Sequence, residues 1–344
     1  MITFYSERQL EHCGVTEVLS GEVVSSFECP ERVDQVLNRL RERSLGDILA
    51  PESFSLDTAC RVHTPDYVEF LQTVWPRWHQ MYPDTTQAIP YCFAVRGLAP
   101  RCPDHVEGQL GYYSLDMTAS IVPGTWNAIK AAMDCALAGQ QHIAGGARSV
   151  FSLCRPPGHH ATADQMGGYC YLNNAAIAAQ AYLDSGCKKI AILDVDYHHG
   201  NGTQSIFYDR DDVLFLSLHA DPAQDYPHYW GYADETGVGP GEGFNLNLPL
   251  PINRTDWSLY RQALDKALAA IQSYGAEVVI VSLGLDTFEQ DPISFFKLKS
   301  DNYLELGQLI AGLNLPTQFV FEGGYATGAL GLNTVNVLEG FSGR

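Results

Sequence analysis

Apolar and polar positions follow two different rhythms along this chain. Four short runs, Ile190–Val195, Val213–Leu218, Val278–Leu283 and Gln318–Phe321, are apolar with almost no polar alternation. That is the pattern of strands buried on both faces. Elsewhere apolar residues recur at spacings of three, four and seven. Trp126, Ile129, Met133, Ala136 and Leu137 mark one helical face, and Trp257, Tyr260, Leu264, Leu268 and Ile271 mark another. Strands alternating with helices predict an α/β fold, with a mostly parallel central sheet flanked by helices on both sides. The sequence shows no internal repeat, linker or low-complexity tract, so its 344 residues are expected to form a single domain spanning 1–344.

One segment breaks the rhythm. Pro76–Tyr113 carries five prolines, several aromatics and no clear period. It is expected to be a long loop insertion, and loops of this length in compact domains usually serve function or interaction.

Composition narrows the possibilities. With 21 basic and 40 acidic residues the formal net charge is −19. A surface this acidic repels phosphate backbones, which argues against a nucleic-acid partner. It attracts cationic substrates, although acidity also serves solubility alone. Nine cysteines are scattered with no CxxC pair, as in a reduced cytoplasmic protein rather than a disulfide scaffold. The opening MITFYSERQL lacks the marks of a secretory signal, and no apolar run reaches the ~20 residues of a membrane span.

The chemistry gathers where the strands end. Ile190–Val195 runs into Asp194, Asp196, His198 and His199; Val213–Leu218 into His219 and Asp221; Val278–Leu283 into Asp286; and the last run into Glu322-Gly323-Gly324-Tyr325. Sites in open parallel sheets lie beyond the carboxyl ends of the strands. A lone Asp there is ordinarily a cap or turn residue, but four such ends together point to a site. On an extended chain Asp196 and His198 would point to the same side. Asp286 would complete a three-ligand divalent metal centre with a position left open, as in catalytic sites. The N/O donor set fits zinc and does not exclude Fe(II). His159 and His160 follow the stiff Arg155-Pro156-Pro157-Gly158 and suit proton transfer beside a metal. Tyr169 and Tyr325 each follow a Gly-Gly pair, which either makes a turn or presents a hydroxyl to a developing oxyanion.

These residues fall in motifs that resemble the histone deacetylase family, whose fold is shared with arginase. They are RPPGHHA (Arg155–Ala161), GGYCYLNNA (Gly167–Ala175), ILDVDYHHGNGTQ (Ile192–Gln204), SLH (Ser217–His219), GLDTFEQDP (Gly284–Pro292) and EGGY (Glu322–Tyr325), in the family's order. The runs HVEGQLGYY (His105–Tyr113) and DPAQDYPHYWGYADETG (Asp221–Gly237) are similar to its bacterial acetylpolyamine amidohydrolase branch. The resemblance implies zinc on Asp196, His198 and Asp286, and potassium on Asp194, Ser217 and the Leu218 carbonyl. It implies a general base at His160, a charged His159 backed by Asp194, and a carbonyl-polarising Tyr325. Asn201 stands where many protein deacetylases have the aspartate that partners His160. A neutral partner leaves the His160 pKa lower. Gly168, Tyr169 and Tyr226 match the walls of a narrow substrate tunnel, and Glu107 an acidic residue facing the distal ammonium of the substrate. A second acidic position of the branch is Thr118 here. The branch further implies a homodimer, with the 76–113 insertion at the interface or tunnel rim. The expected reaction is hydrolysis of N-acetylated polyamines or diamines. A protein acetyl-lysine deacetylase is the alternative with the same chemistry. An arginase-like ureohydrolase would need further aspartates after Asp196, where the chain reads Tyr197-His198-His199-Gly200-Asn201. A non-enzymatic binding protein would show a degraded site, whereas every expected catalytic position is filled.

Overall fold

The computed structural model describes residues 1–94 and 98–343. Its strands are β1 (Ile2–Phe4), β2 (Thr16–Leu19), β3 (Glu22–Ser25), β4 (Ile48–Leu49), β5 (Ser149–Ser152), β6 (Ile190–Asp194), β7 (Val213–Ala220), β8 (Asn245–Leu250), β9 (Val278–Leu283) and β10 (Thr317–Phe321). Eight of them form one sheet in the order β4-β1-β5-β10-β9-β6-β7-β8, with parallel pairing throughout. The four apolar runs read from the sequence are β6, β7, β9 and β10, near its centre. Side chains alternate between two core layers: Ile190 and Ile192 face one, Ala191 and Leu193 the other.

The helices are α1 (Glu31–Glu42), α2 (Pro65–Met81), α3 (Val106–Tyr112), α4 (Thr125–Ala144), α5 (Asn174–Asp184), α6 (Asn201–Phe207), α7 (Trp257–Tyr274), α8 (Ser300–Ala311) and α9 (Thr327–Ser342). α1, α7, α8 and α9 cover one face of the sheet; α2, α4 and α5 cover the other. The two helices expected from apolar spacing are α4 and α7. α7 has a local start and stop: the Asp256 side chain accepts from the Leu259 N–H, and Gly275 takes the left-handed conformation (φ 74°) that ends it. No helix among the described residues is long and apolar enough to cross a membrane.

The 76–113 segment differs from expectation at both ends. α2 continues through Pro76 to Met81, and α3 occupies Val106–Tyr112. Tyr67, Phe70, Leu71, Val74 and Trp78 bury one face of α2, and that packing outweighs the backbone hydrogen bond lost at proline. The irregular part is residues 82–105, of which 95–97 lie outside the described residues. The chain also forms an antiparallel hairpin, β2–β3, not foreseen from the sequence. Its Ser20-Gly21 turn has positive φ at both positions (52° and 84°), as two-residue hairpins require.

Register then positions the site. Asp194 pairs with Ser217 on β7 and Ser282 on β9, and Phe321 on β10 pairs with Leu283. The carboxyl ends of four neighbouring strands are therefore level, and the loops beyond them meet.

Candidate active site

Asp196, His198 and Asp286 converge just beyond β6 and β9. One ligand atom from each lies within 4.8 Å of the others, and all three side chains are buried. His198 Nδ1 is 3.1 Å from Asp286 Oδ2 and 3.4 Å from Asp196 Oδ1. The expected reason for the convergence needs correction. β6 ends at Asp194, so Asp196 and His198 are not on an extended strand. Asp196 Oδ1 instead accepts the His198 N–H at 2.9 Å, and this tight turn brings both side chains round. Asp196 Oδ2 accepts the Gly323 N–H, and Asp286 Oδ1 the Tyr197 N–H.

Two carboxylates and an imidazole packed this closely fit a divalent cation. Burial, and then the neighbouring Asp196 charge, push the Asp286 carboxyl up to about 7. A cation among the three would relieve that repulsion. The donors are N and O, as in catalytic zinc and non-haem iron centres.

The two adjacent histidines have opposite environments, with ring centroids 4.0 Å apart. His159 Nδ1 meets Asp194 Oδ2 at 3.0 Å. Burial opposes a charge there, but Asp196 and Asp194 outweigh it and raise His159 to about 10. His160 Nδ1 meets Asn201 Oδ1, on the first residue of α6, at 2.7 Å. Burial, reinforced by His159 and His198, holds His160 well below its usual range. One imidazole is thus kept charged and its neighbour neutral, the separation expected of an acid–base pair.

Above the triad lies a cavity of about 130 Å³ lined by His160, Gly168, Tyr169, His198, Tyr226 and Tyr325, and completed by Leu19, Thr118, Asp225 and Ile293. Gly168 has φ +53°, and a Cβ there would lie 2.2 Å from His160 Cδ2, so only glycine lets the wall approach the imidazole. The Tyr325 hydroxyl is held well above its usual pKa, chiefly by burial, and remains a donor. Asp194 faces Ser217 across the β6–β7 pairing, and the Ser217 hydroxyl meets His219 Nδ1 at 2.8 Å. Leu218 lies between them in the buried β7. Glu107 does not line the cavity. It sits in the first turn of α3, where its charge helps raise the Tyr82 and Tyr91 hydroxyls.

Several structural partners were not singled out from the sequence. Asp291 Oδ2 accepts the Tyr325 N–H at 2.7 Å and the Ala326 N–H at 3.3 Å. Glu322 Oε2 accepts from Gly158 and His159 N–H, which fixes the backbone of the histidine pair. Asp116 ties Gly168 to Tyr226. Arg32 donates to the carbonyls of Glu322 and Gly324, and its guanidinium lies 4.8 Å from the Tyr325 ring centroid. Glu28 bonds to both Arg32 and Arg155. The DTFEQDP, EGGY and RPPGHHA runs contain Asp291, Glu322 and Arg155, but Asp116, Arg32 and Glu28 carried no local signal, because the groups they bond to are mostly distant in sequence.

Comparisons with known proteins agree with this geometry. Residues 26–341 match the family described as Histone deacetylase domain. Acetylpolyamine amidohydrolase 2 of Pseudomonas aeruginosa is 52% identical, over 100% of this chain and 99% of that protein. The acetylpolyamine amidohydrolase of Mycoplana ramosa is 49% identical, with both chains covered completely. A crystal structure of acetylpolyamine aminohydrolase from Burkholderia pseudomallei superposes with a TM-score of 0.94 at 36% identity, covering 99% of this chain and 98% of that one. The level strand ends, the buried Asp-His-Asp group and these likenesses lead to one conclusion: the chain belongs to the histone deacetylase domain family.

Proposed function

We propose that the protein is a metal-dependent amidohydrolase that removes the acetyl group from N-acetylated polyamines or diamines, releasing acetate and the free amine. The observation that carries this reading is the floor of the cavity. A buried Asp-His-Asp group, a charge-separated histidine pair and a tyrosine hydroxyl meet there, beneath walls set for an unbranched chain. The cavity is small, about 130 Å³, and its Tyr169 and Tyr226 walls offer apolar ring faces to a slender methylene chain.

Asp196, His198 and Asp286 would hold the metal, zinc or Fe(II). When bound, it supplies Lewis-acid polarisation of the amide carbonyl. Tyr325 donates a hydrogen bond to the carbonyl oxygen as negative charge develops. The Nδ1–H of His160 is directed to Asn201, which leaves Nε2 to take a proton from the attacking water and return it to the leaving nitrogen. His159, held cationic through Nδ1 by Asp194, stabilises the same negative charge. Tyr169 and Tyr226 enclose the chain, and Gly168 lets it pass close to the backbone. Potassium would be held by Asp194, Ser217 and the Leu218 carbonyl, where a fully buried carboxylate lies opposite a hydroxyl.

The acidic surface suits a cationic amine, and the relatives that span the whole chain carry the polyamine name, which favours this substrate over acetyl-lysine proteins. We also propose that the described part of the 76–113 segment lies at a homodimer interface or at the tunnel rim. Tyr91, Phe93 and Leu98 there are exposed, and Glu107, outside the cavity of its own chain, would face a substrate ammonium within such an assembly. The protein is read as cytoplasmic from its nine free thiols.

The test is turnover of acetylputrescine, acetylcadaverine and an acetyl-lysine peptide, with metal content measured on the same sample. Faster turnover of the small amines is expected. Much faster turnover of the peptide would defeat the polyamine reading. Light scattering checks the dimer: a monomeric mass at working concentration would remove Glu107 from the site.

A further inference from the structure

A second group of metal-ligating side chains lies beside the first. Ligand atoms of His159, Cys170 and Glu322 are all within 4.8 Å of one another, and the three side chains are buried. The donor set here is one nitrogen, one sulfur and one oxygen. Tetrahedral bonds of about 2.0–2.3 Å place ligand atoms about 3.5 Å apart, so shifts of about an ångström would close the group round an ion.

Glu322 supplies an independent sign of a ligand. Its Oε2 accepts two backbone N–H groups, from Gly158 at 2.6 Å and His159 at 3.2 Å. Its Oε1 is equally buried and has no hydrogen-bond partner among the described residues. Buried carboxylate oxygens are rarely left without a donor or a cation. The Cys170 S–H is directed to the Gly168 carbonyl at 3.2 Å, and Gly168 lines the catalytic cavity. The thiol is therefore one residue contact from the space the substrate uses.

We propose that His159, Cys170 and Glu322 form a second, inhibitory site for a soft divalent cation such as zinc or cadmium. Thiolate with imidazole selects such ions and discriminates against magnesium and calcium, which prefer all-oxygen sets. Capture breaks the Cys170 S–H bond, forms a sulfur–metal bond and releases the proton to solvent. His159 gives up its Nε2 proton in the same way and ligates through that nitrogen, while Nδ1 stays on Asp194. The enzyme then loses the cationic imidazole beside the reacting amide, so the second ion inhibits. This consequence rests on the role given to His159 under the proposed function; the binding itself does not.

The experiment titrates protein already carrying one equivalent of metal with cadmium and with zinc. Turnover and the ultraviolet thiolate-to-cadmium absorption are followed together, in wild type, Cys170→Ala and Cys170→Ser. In wild type a second equivalent is expected to produce the absorption band and to inhibit. In both variants that band should vanish, and the inhibiting concentration should rise by roughly 10–100-fold. The exposed Cys13, Cys92 and Cys102 contribute a background common to all three proteins. Magnesium should have no effect. An unchanged band and unchanged inhibition in the variants would overturn the proposal. So would a wild type that shows no new band on the second equivalent, which decides the matter even if the variants fail to fold. Absence of turnover with one equivalent bound would instead count against the proposed function, and the band would still decide the second site.

Discussion

At the scale of the residue, Tyr325 shows how a hydroxyl proposed to be catalytic can be held by interactions that do not involve it. Its N–H is fixed by Asp291 and its ring packs beneath Arg32. Tyr325→Phe should therefore keep the ring in place and lose only the donor. Turnover is expected to fall by about 10²–10³-fold, the usual loss for one oxyanion donor, with metal content by elemental analysis unchanged. Parallel loss of metal would contradict the assigned role. The tyrosine was legible from the sequence because it follows a Gly-Gly pair at a strand end. Asp291 was not, because nothing in local spacing says that a carboxylate 34 residues upstream accepts its N–H.

At the scale of elements, the cavity walls come from segments far apart in sequence and are joined by one carboxylate. Asp116 Oδ2 accepts the Gly168 N–H at 3.0 Å and the Tyr226 hydroxyl at 2.7 Å. Its Oδ1 accepts both the backbone N–H and the hydroxyl of Thr118. The opposite wall is tied to the β2–β3 hairpin, where Tyr169 donates to Glu17 at 2.9 Å. Asp116→Asn replaces an acceptor-only oxygen with an amide that must turn a donor toward one of these donors. Such a change costs about 1–3 kcal/mol, and its effect should fall on wall spacing rather than on chemistry. The expected result is a KM for acetylated diamines raised about tenfold, with kcat less affected; an equal fall in kcat at constant KM would refute this reading. Thr118, which stands at a second acidic position of the branch, bonds to the same carboxylate. The family resemblance implied tunnel walls at Tyr226 and Gly168; both line the cavity, and only the folded arrangement connects them.

At the scale of the molecule, two effects of charge can be separated. The first is internal. Glu28, Arg32 and Arg155 are fully buried together, with Arg32 Nη1 2.9 Å from Glu28 Oε1 and Arg155 Nη2 3.0 Å from Oε2. Burial alone would push the Glu28 carboxyl up, but Arg155 and Arg32 outweigh it and hold it below its usual range. A carboxyl lowered on folding stabilises the fold above its unfolded value, about 4.3, and that stabilisation is lost as pH falls through the lower folded value. Glu28→Gln strands two buried guanidinium groups and should destabilise the protein by about 3–5 kcal/mol near neutral pH. The variant should also show a flatter fall in Tm than wild type between about pH 5 and 3. Thermal unfolding across that range measures both; a parallel pH dependence in the two proteins would exclude the linkage. The second effect is external. With a net charge of −19, kcat/KM for a cationic acetylated diamine should fall as salt rises, while that for an uncharged acetylated alkylamine of equal length should not. Equal salt dependence for both substrates would show that the surface charge plays no part in capture.

The sequence by itself determined the fold class, the central strands, α4 and α7, and the identity of most groups on the cavity floor. These are properties of local pattern: unbroken apolar runs mark doubly buried strands, and polar residues just past them mark the end where a parallel sheet opens. Tertiary structure decided what depends on neighbours distant in the chain. It set the strand order that levels four strand ends, the hairpin that brings Leu19 and Glu17 to the rim, and the continuation of α2 through Pro76. It also turned Asp196 and His198 together by a hydrogen-bonded turn where an extended strand was expected. The different states of His159 and His160 belong here too: the two residues are chemically identical and adjacent, but Asp196 and Asp194 beside the first keep it charged, while burial next to His159 and His198 keeps the second neutral. Packing also placed Glu107 outside the cavity of its own chain, since the side chains that surround a residue are set by the whole fold and not by its immediate sequence.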